Sequence, residues 1–348
     1  MFTNRLSIII SIGLGIALIA AFSPLSSSDN EKITGTSLEA PRNAFNADNL
    51  APIVSIASEW VAIIPYAYST PGSPNVTFNY SRQYWGERSE GVKTSIDHAR
   101  SLGLKVMIKP HIWVRGQGWP GDFTLNSEQD WLTWEEDYTD YILTFAEIAE
   151  EKDVELFSIA TEYRHLVSEK PEVWRRIIKK IKQVYSGQLT YAANWDNYES
   201  VTFWDEIDYI GIDAYFPLAE SKNPSVEEIN TSWQPTKDKL KAFSEQWDRP
   251  ILFTEYGYQS VDYAAAGHWK HNQDTLSVNQ LAQANAYESL YQTFWNEEWF
   301  KGGFLWKWHL NTNFRRNRQS NRRYSYDKRF TPQGKIAEEV IKKWYSTE

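Results

Sequence analysis

A (β/α)8 barrel is predicted by three features of this chain. Eight short β-rich apolar runs alternate with helical patterns, the runs are apolar nearly throughout, and no credible phosphate-binding fingerprint follows the first. The alternation means a parallel sheet. Strands apolar along their length have both faces covered. Eight such units in one domain fit a closed barrel better than a doubly wound sheet, which needs the missing nucleotide turn.

In order, residues 33–38 form the first run. Helical 48–58 leads to 60–65 (WVAIIP), and helical 91–102 to 105–109 (KVMIK). The long amphipathic stretch 131–152 precedes 156–160 (LFSIA), and helical 171–185 precedes 189–193. The sixth run is 207–212; helical 237–246 leads to 251–254 (ILFT), and helical 278–295 to 303–306 (GFLW). A last helix is expected from Thr331-Pro332, an N-cap and N1 pair, to about residue 345.

Residues 1–28 stand apart. Arg5 precedes an apolar run, 6–22, in which only Ser7 and Ser11 are polar. This reads as an export signal, cleaved or kept as an anchor, that puts residues 29–348 outside the cytoplasm as one domain. With 36 Lys+Arg against 45 Asp+Glu the net charge is −9, which disfavours nucleic acid and anionic lipid. The absence of cysteine excludes disulfides, thiol catalysis and zinc–thiolate sites. The 17 Trp, 20 Tyr and 16 Phe are too many for a core to take whole, so some Trp are expected at the surface.

In such a barrel the chemistry lies just past the C-terminal strand ends. Those positions hold Glu39, Arg42 and Asn43; Tyr66 and Tyr68; His111 and Trp113; Thr161, Glu162 and Tyr163; Asn194 and Trp195; Asp213 and Tyr215; Glu255 and Tyr256; and Trp306, Trp308 and His309. Glu162 and Glu255 follow the fourth and seventh strands. Two carboxyls across a barrel mouth suit glycosidic bond cleavage: one, held protonated, releases the leaving sugar, and the other attacks carbon one or activates water. Trp113, Trp119, Trp195 and Trp306 offer flat rings to the apolar faces of pyranoses. Arg42, Lys109, His111 and Asn194 are placed to bind sugar hydroxyls or to tune the glutamates. No cofactor or metal is called for, and the expected partner is an oligo- or polysaccharide.

The order of residues 60–68 (WVAIIPYAY), 109–111 (KPH), 119–123, Asn194-Trp195, 213–215 (DAY), 254–257 (TEYG) and 330–335 (FTPQGK) resembles glycoside hydrolase family 113, in clan A of the retaining enzymes. That family contains endo-acting β-mannanases and related proteins. The resemblance implies that Glu162 is the acid/base, Glu255 the nucleophile, Tyr215 a hydrogen-bond partner of the nucleophile, and Trp306 the floor of the cleaved subsite. Clan A enzymes commonly carry Asn before the acid/base, to bind the sugar 2-hydroxyl; here it is Thr161. That departure bears on sugar preference and turnover, and it keeps a non-catalytic glycan-binding barrel, or a β-glycosidase or transglycosylase of other specificity, as rivals.

Other motifs are refused. Residues 116–121 match GxGxxG, but Trp119-Pro120 argues for an open loop instead of a phosphate-binding helix start. Glu162-x-x-His165 stands alone where a metal bundle needs two such pairs, and His268-x-x-His271 has no obvious third ligand. There is no GxSxG elbow. The arginine-rich run 315–323 reads as a solvated loop or as one end of the cleft.

Overall fold

The computed structural model describes residues 31–272, 275–310 and 326–347. The expected export segment and the arginine-rich run lie outside them. Among the described residues no helix is long and apolar enough to cross a membrane.

The strands are β1 (Ile33–Leu38), β2 (Trp60–Ile63), β3 (Tyr66–Ser69), β4 (Lys105–Ile108), β5 (His111–Val114), β6 (Leu156–Thr161), β7 (Gln188–Asn194), β8 (Tyr209–Asp213), β9 (Ile251–Tyr256) and β10 (Phe300–Trp308). The helices are α1 (Ala51–Ser55), α2 (Ser89–Ser101), α3 (Glu128–Glu151), α4 (Arg164–Glu169), α5 (Pro171–Val184), α6 (Val226–Trp247), α7 (Gln280–Phe294) and α8 (Ile336–Tyr345). Eight strands close into a parallel barrel in the order β1-β2-β4-β6-β7-β8-β9-β10 and back to β1. This is the (β/α)8 barrel that the alternation predicts.

Two apolar layers hold it. Ile33, Trp60, Ala62, Met107, Leu156, Leu252 and Phe304 fill the barrel interior. The alternate positions, among them Val61, Ile63, Val106, Ile108, Phe157 and Phe253, belong to the outer layer with Ile96, Phe145, Ile177 and Leu290 of the helices. Gly35 is dictated by this packing: a Cβ there would lie 2.3 Å from Phe304 Cδ1.

Several boundaries differ from the sequence reading. The expected helix over 48–58 is a 3-10 turn, Ala47–Leu50, and the single-turn α1, ended by Ala57 at φ 58°. α6 starts eleven residues before its expected start, capped by Ser225 and running through Pro235. Thr331 does not cap the last helix. Its hydroxyl accepts from Gln333 N inside a turn, Gly334 follows at φ 65°, and α8 begins at Ile336. β3 and β5 were not expected at all. They pair with each other after Pro65 and Pro110 and extend the barrel mouth on one side.

Candidate active site

β-bulges aim the key side chains. On β9, Ile251 and Phe253 face the helices and Leu252 the interior, so strict alternation would turn Glu255 outward. The β8–β9 register instead shifts between Ile212 and Asp213: Ile212 pairs with Phe253 and Asp213 with Glu255. The extra residue, Thr254, lets Thr254 and Glu255 both turn to the mouth. On β6 the register shifts between Ser158 and Thr161, and Glu162 leaves the strand at φ 56°. A left-handed backbone at a non-glycine residue costs about 1–2 kcal/mol and collects at functional sites.

The two glutamates line one cleft of about 540 Å3. His111, Trp113, Trp119, Asn194, Trp195, Tyr215 and Trp306 line it as well. Beneath Glu255 lies an ion cluster. Lys109 is wholly buried, and its Nζ donates to Asp213 Oδ1 and Oδ2 at 2.8 and 3.1 Å and to Glu255 Oε1 at 2.5 Å. Thr254 Oγ1 donates to Asp213 Oδ1 at 2.8 Å. Tyr215 OH donates to Glu255 Oε2 at 2.8 Å. Donors therefore reach both oxygens of Glu255, the arrangement that suits an anion. Burial works against the lysine charge, but Asp213 and Glu255 raise its pKa above the ordinary value. Burial and then Glu255 push the Asp213 carboxyl up to about 7, against the pull of Lys109 and Thr254.

Glu162 is the contrasting carboxyl. Burial first, then the charges of Asp213 and Glu255, raise its pKa well above the carboxylate range; Lys109 and then the Trp119 side chain oppose this. Trp119 is itself held, because the Arg164 guanidinium lies 5.1 Å from its ring and is fixed by Asp122 at 2.9 Å and Asp196 at 3.2 Å. Gly118 turns the loop into place at φ 86°, where a Cβ would press on Trp113 at 3.3 Å. The stretch 116–121 is thus an open loop over the cleft, as its Trp-Pro pair implies.

Two expected sugar contacts do not have that form. Lys109 has no face to the cleft; of the two placements expected of it, its ammonium has the one beside a glutamate, against Glu255 and Asp213. Arg42 is not among the lining residues; it is exposed and stacks over Tyr84 at 4.8 Å. His111 stacks on Trp306, with ring centroids 6.0 Å apart and planes 4° apart. Its Nε2, 3.4 Å from Glu255 Oε1, is buried without a hydrogen-bond partner. Burial, then the charges of Lys109 and Lys307, push its pKa well down, so the ring is neutral. The Thr161 hydroxyl, at the position where an Asn was noted as usual, donates to Pro110 O at 3.1 Å.

The structure adds residues the sequence reading missed. Trp269, 47% exposed, stacks on Trp195 with centroids 5.3 Å apart and planes 13° apart. His268 and Arg164 also line the cleft, as do Tyr66 and Phe330, which the sequence reading placed at a strand end and in the stretch 330–335. Trp269 comes from an irregular segment, where no periodicity points to it. Among the described residues no three His, Asp or Glu side chains group as metal ligands. His271 stacks on Tyr263 at 4.5 Å, and His165 Nε2 lies 3.2 Å from Asp122.

The profile of Glycoside Hydrolase Family 113 matches residues 40–329. No curated protein sequence matches the chain. Among solved structures, a GH113 β-mannanase from Alicyclobacillus acidocaldarius is 24% identical, with a TM-score of 0.77 over 91% of this chain and 97% of its own. A GH113 β-1,4-mannanase is 25% identical, also at TM-score 0.77, over 91% of this chain and 100% of its own. A β-glucuronidase from Ruminococcus gnavus shares the fold at 12% identity and a TM-score of 0.59, over 90% of this chain and 50% of its own.

Proposed function

This chain belongs to glycoside hydrolase family 113, and as a glycoside hydrolase we propose that it cleaves β-1,4-mannan-type glycans with retention, through Glu255 and Glu162. The observation that carries the mechanism is the contrast between the two carboxyls. Glu255 receives donors on both oxygens, while Glu162 is pushed towards its protonated form. In the first step Glu255 attacks carbon one and the glycosidic C–O bond breaks. Glu162 gives its proton to the departing oxygen, leaving a glycosyl ester on Glu255. In the second step Glu162, now a carboxylate, takes a proton from water as the water oxygen attacks carbon one, and Glu255 leaves as carboxylate. Tyr215 and Lys109 bear on the charge of Glu255 as it is consumed and regenerated.

The stacked Trp195–Trp269 pair and Trp113 offer platforms to sugars on either side of the cleaved bond. The choice of mannan rests on the two GH113 mannanases that match over 91% of the chain. By the reading of residues 1–28 the barrel works outside the cytoplasm. Release of reducing ends from β-1,4-mannan, β-1,4-glucan and β-1,4-xylan tests the substrate. Mannan should be cut fastest, and faster cutting of either other glycan would overturn the assignment.

A further inference from the structure

The catalytic cleft does not end at Trp306. Trp113, half exposed, also walls a neighbouring hollow of about 280 Å3 with Tyr66, Tyr68, Tyr84 and Glu87. It then walls a third, open trough of about 610 Å3, lined by Tyr68, Tyr80, Arg82, Arg115 and Gly116. The β3–β5 pair explains this continuity. Tyr66 pairs with His111 and Tyr68 with Trp113, so these four share one face. Ala67, Ser69, Ile112 and Val114, the alternate positions, are buried on the other. One aromatic face therefore runs from the glutamates to the trough.

The far end of that face is cationic. Arg82 and Arg115 are exposed, and neither guanidinium has a hydrogen bond or ion pair among the described residues. Arg100, Arg164, Arg175 and Arg176 are each matched by a carboxylate. In a chain with net charge −9, two unmatched guanidiniums in one trough leave a local site for an anion. The aromatic partners are in place: the Arg115 guanidinium lies 5.8 Å from the Tyr68 ring, and Tyr80 meets Tyr68 edge-on at 5.8 Å. Among the described residues no guanidinium lines the hollow between trough and cleft. Glu87 is buried there and accepts from Tyr68 OH at 3.0 Å, and Glu39 is matched by Lys307 and His309.

Resting on the β-glycan reading above, we infer that Arg82 and Arg115 form a distal subsite for a carboxylated sugar, such as a uronic acid. The pyranose lies on Tyr68 and Tyr80 and its carboxylate meets the guanidiniums. The enzyme thus favours a neutral β-glycan bearing an acidic residue some units out.

The test uses Glu255→Ala protein and three ligands in calorimetry: neutral β-1,4-mannohexaose and two forms with one carboxylate, on the first or on the last residue. One acidic form should bind roughly three- to tenfold more tightly than the neutral one at low salt, the range expected of exposed guanidinium–carboxylate pairs. The ratio should fall towards one at high salt and in the R82Q/R115Q background, and it should persist in R82K/R115K. Binding of all three within twofold, or a ratio unmoved by salt or by R82Q/R115Q, overturns the inference. The salt series needs no substitution in the trough. Cleavage of neutral mannohexaose by the unmutated protein keeps the function reading separate. Cleavage without acidic preference fells only the subsite, and preference without cleavage of neutral hexaose fells only the mannan assignment.

Discussion

Lys109 and Glu255 meet inside the barrel: the ammonium, with no solvent on its side chain, donates to Glu255 Oε1 at 2.5 Å from below the cleft. Lys109 follows β4 and Glu255 ends the bulged stretch of β9, and Asp213 on β8 completes the cluster at 2.8 Å. One positive charge thus serves two buried carboxylates, and removing it strands both.

Lys109→Met should therefore cost about 3–5 kcal/mol of stability, the usual result of removing one partner from a buried ion pair. Adding Asp213→Asn should recover part of that loss, because it removes one of the stranded charges. Thermal unfolding of the two variants checks this; a double variant no more stable than the single would count against the cluster.

Tyr215→Phe removes one donor from Glu255 and little packing. A hydrogen bond to a charged group is worth ~1.5–3 kcal/mol, so kcat should fall roughly 10- to 100-fold with little change in unfolding temperature. Steady-state kinetics on a mannan oligosaccharide reads this directly. Unchanged kcat would remove Tyr215 from the mechanism.

Glu162→Gln should make the protein more stable as the pH rises. The folded pKa of Glu162 lies above its unfolded value, so the folded state holds the proton more tightly. The side chain costs no stability below about pH 4, where both states are protonated, and costs more as the pH rises towards the raised value. Glutamine cannot ionise, so its advantage in unfolding temperature should be absent in acid and present at neutral pH. An equal difference at both pH values would contradict the placement of Glu162.

Trp119→Phe should move the basic limb of the pH–rate profile upward. The neighbouring Trp119 side chain favours the Glu162 anion, so its loss holds the proton to higher pH. A downward shift would mean that Trp119 acts on something other than this carboxyl.

Much of this site was readable because barrel chemistry sits at strand ends. Glu162, Glu255, His111, Asn194 and Trp306 each follow or end an apolar run, and all line the cleft. The reading stopped where side-chain direction depends on more than spacing. The bulge at Thr254 re-aims Glu255, and β-register belongs to a strand pair and not to one segment. Lys109 showed its position but not its burial beneath Glu255. β3 and β5 follow Pro65 and Pro110, and although Tyr66–Ser69 and His111–Val114 alternate with period two, each stretch is only four residues long. The expected helix over 237–246 covers only the second half of α6, whose first half lies before Pro235 and runs through it. Trp269 lay in an irregular loop, and only its stacking on Trp195 reveals it.

The most direct test of the two-glutamate account is azide rescue of the two alanine variants on an activated aryl β-mannoside, with the product anomer read by NMR. Glu162→Ala lacks the base for the second step, so azide should take the sugar from Glu255 and give the β-mannosyl azide. Glu255→Ala has no nucleophile, so azide should enter its place and give the α product. Opposite anomers would exchange the two roles. Full activity without azide in either variant would contradict the account.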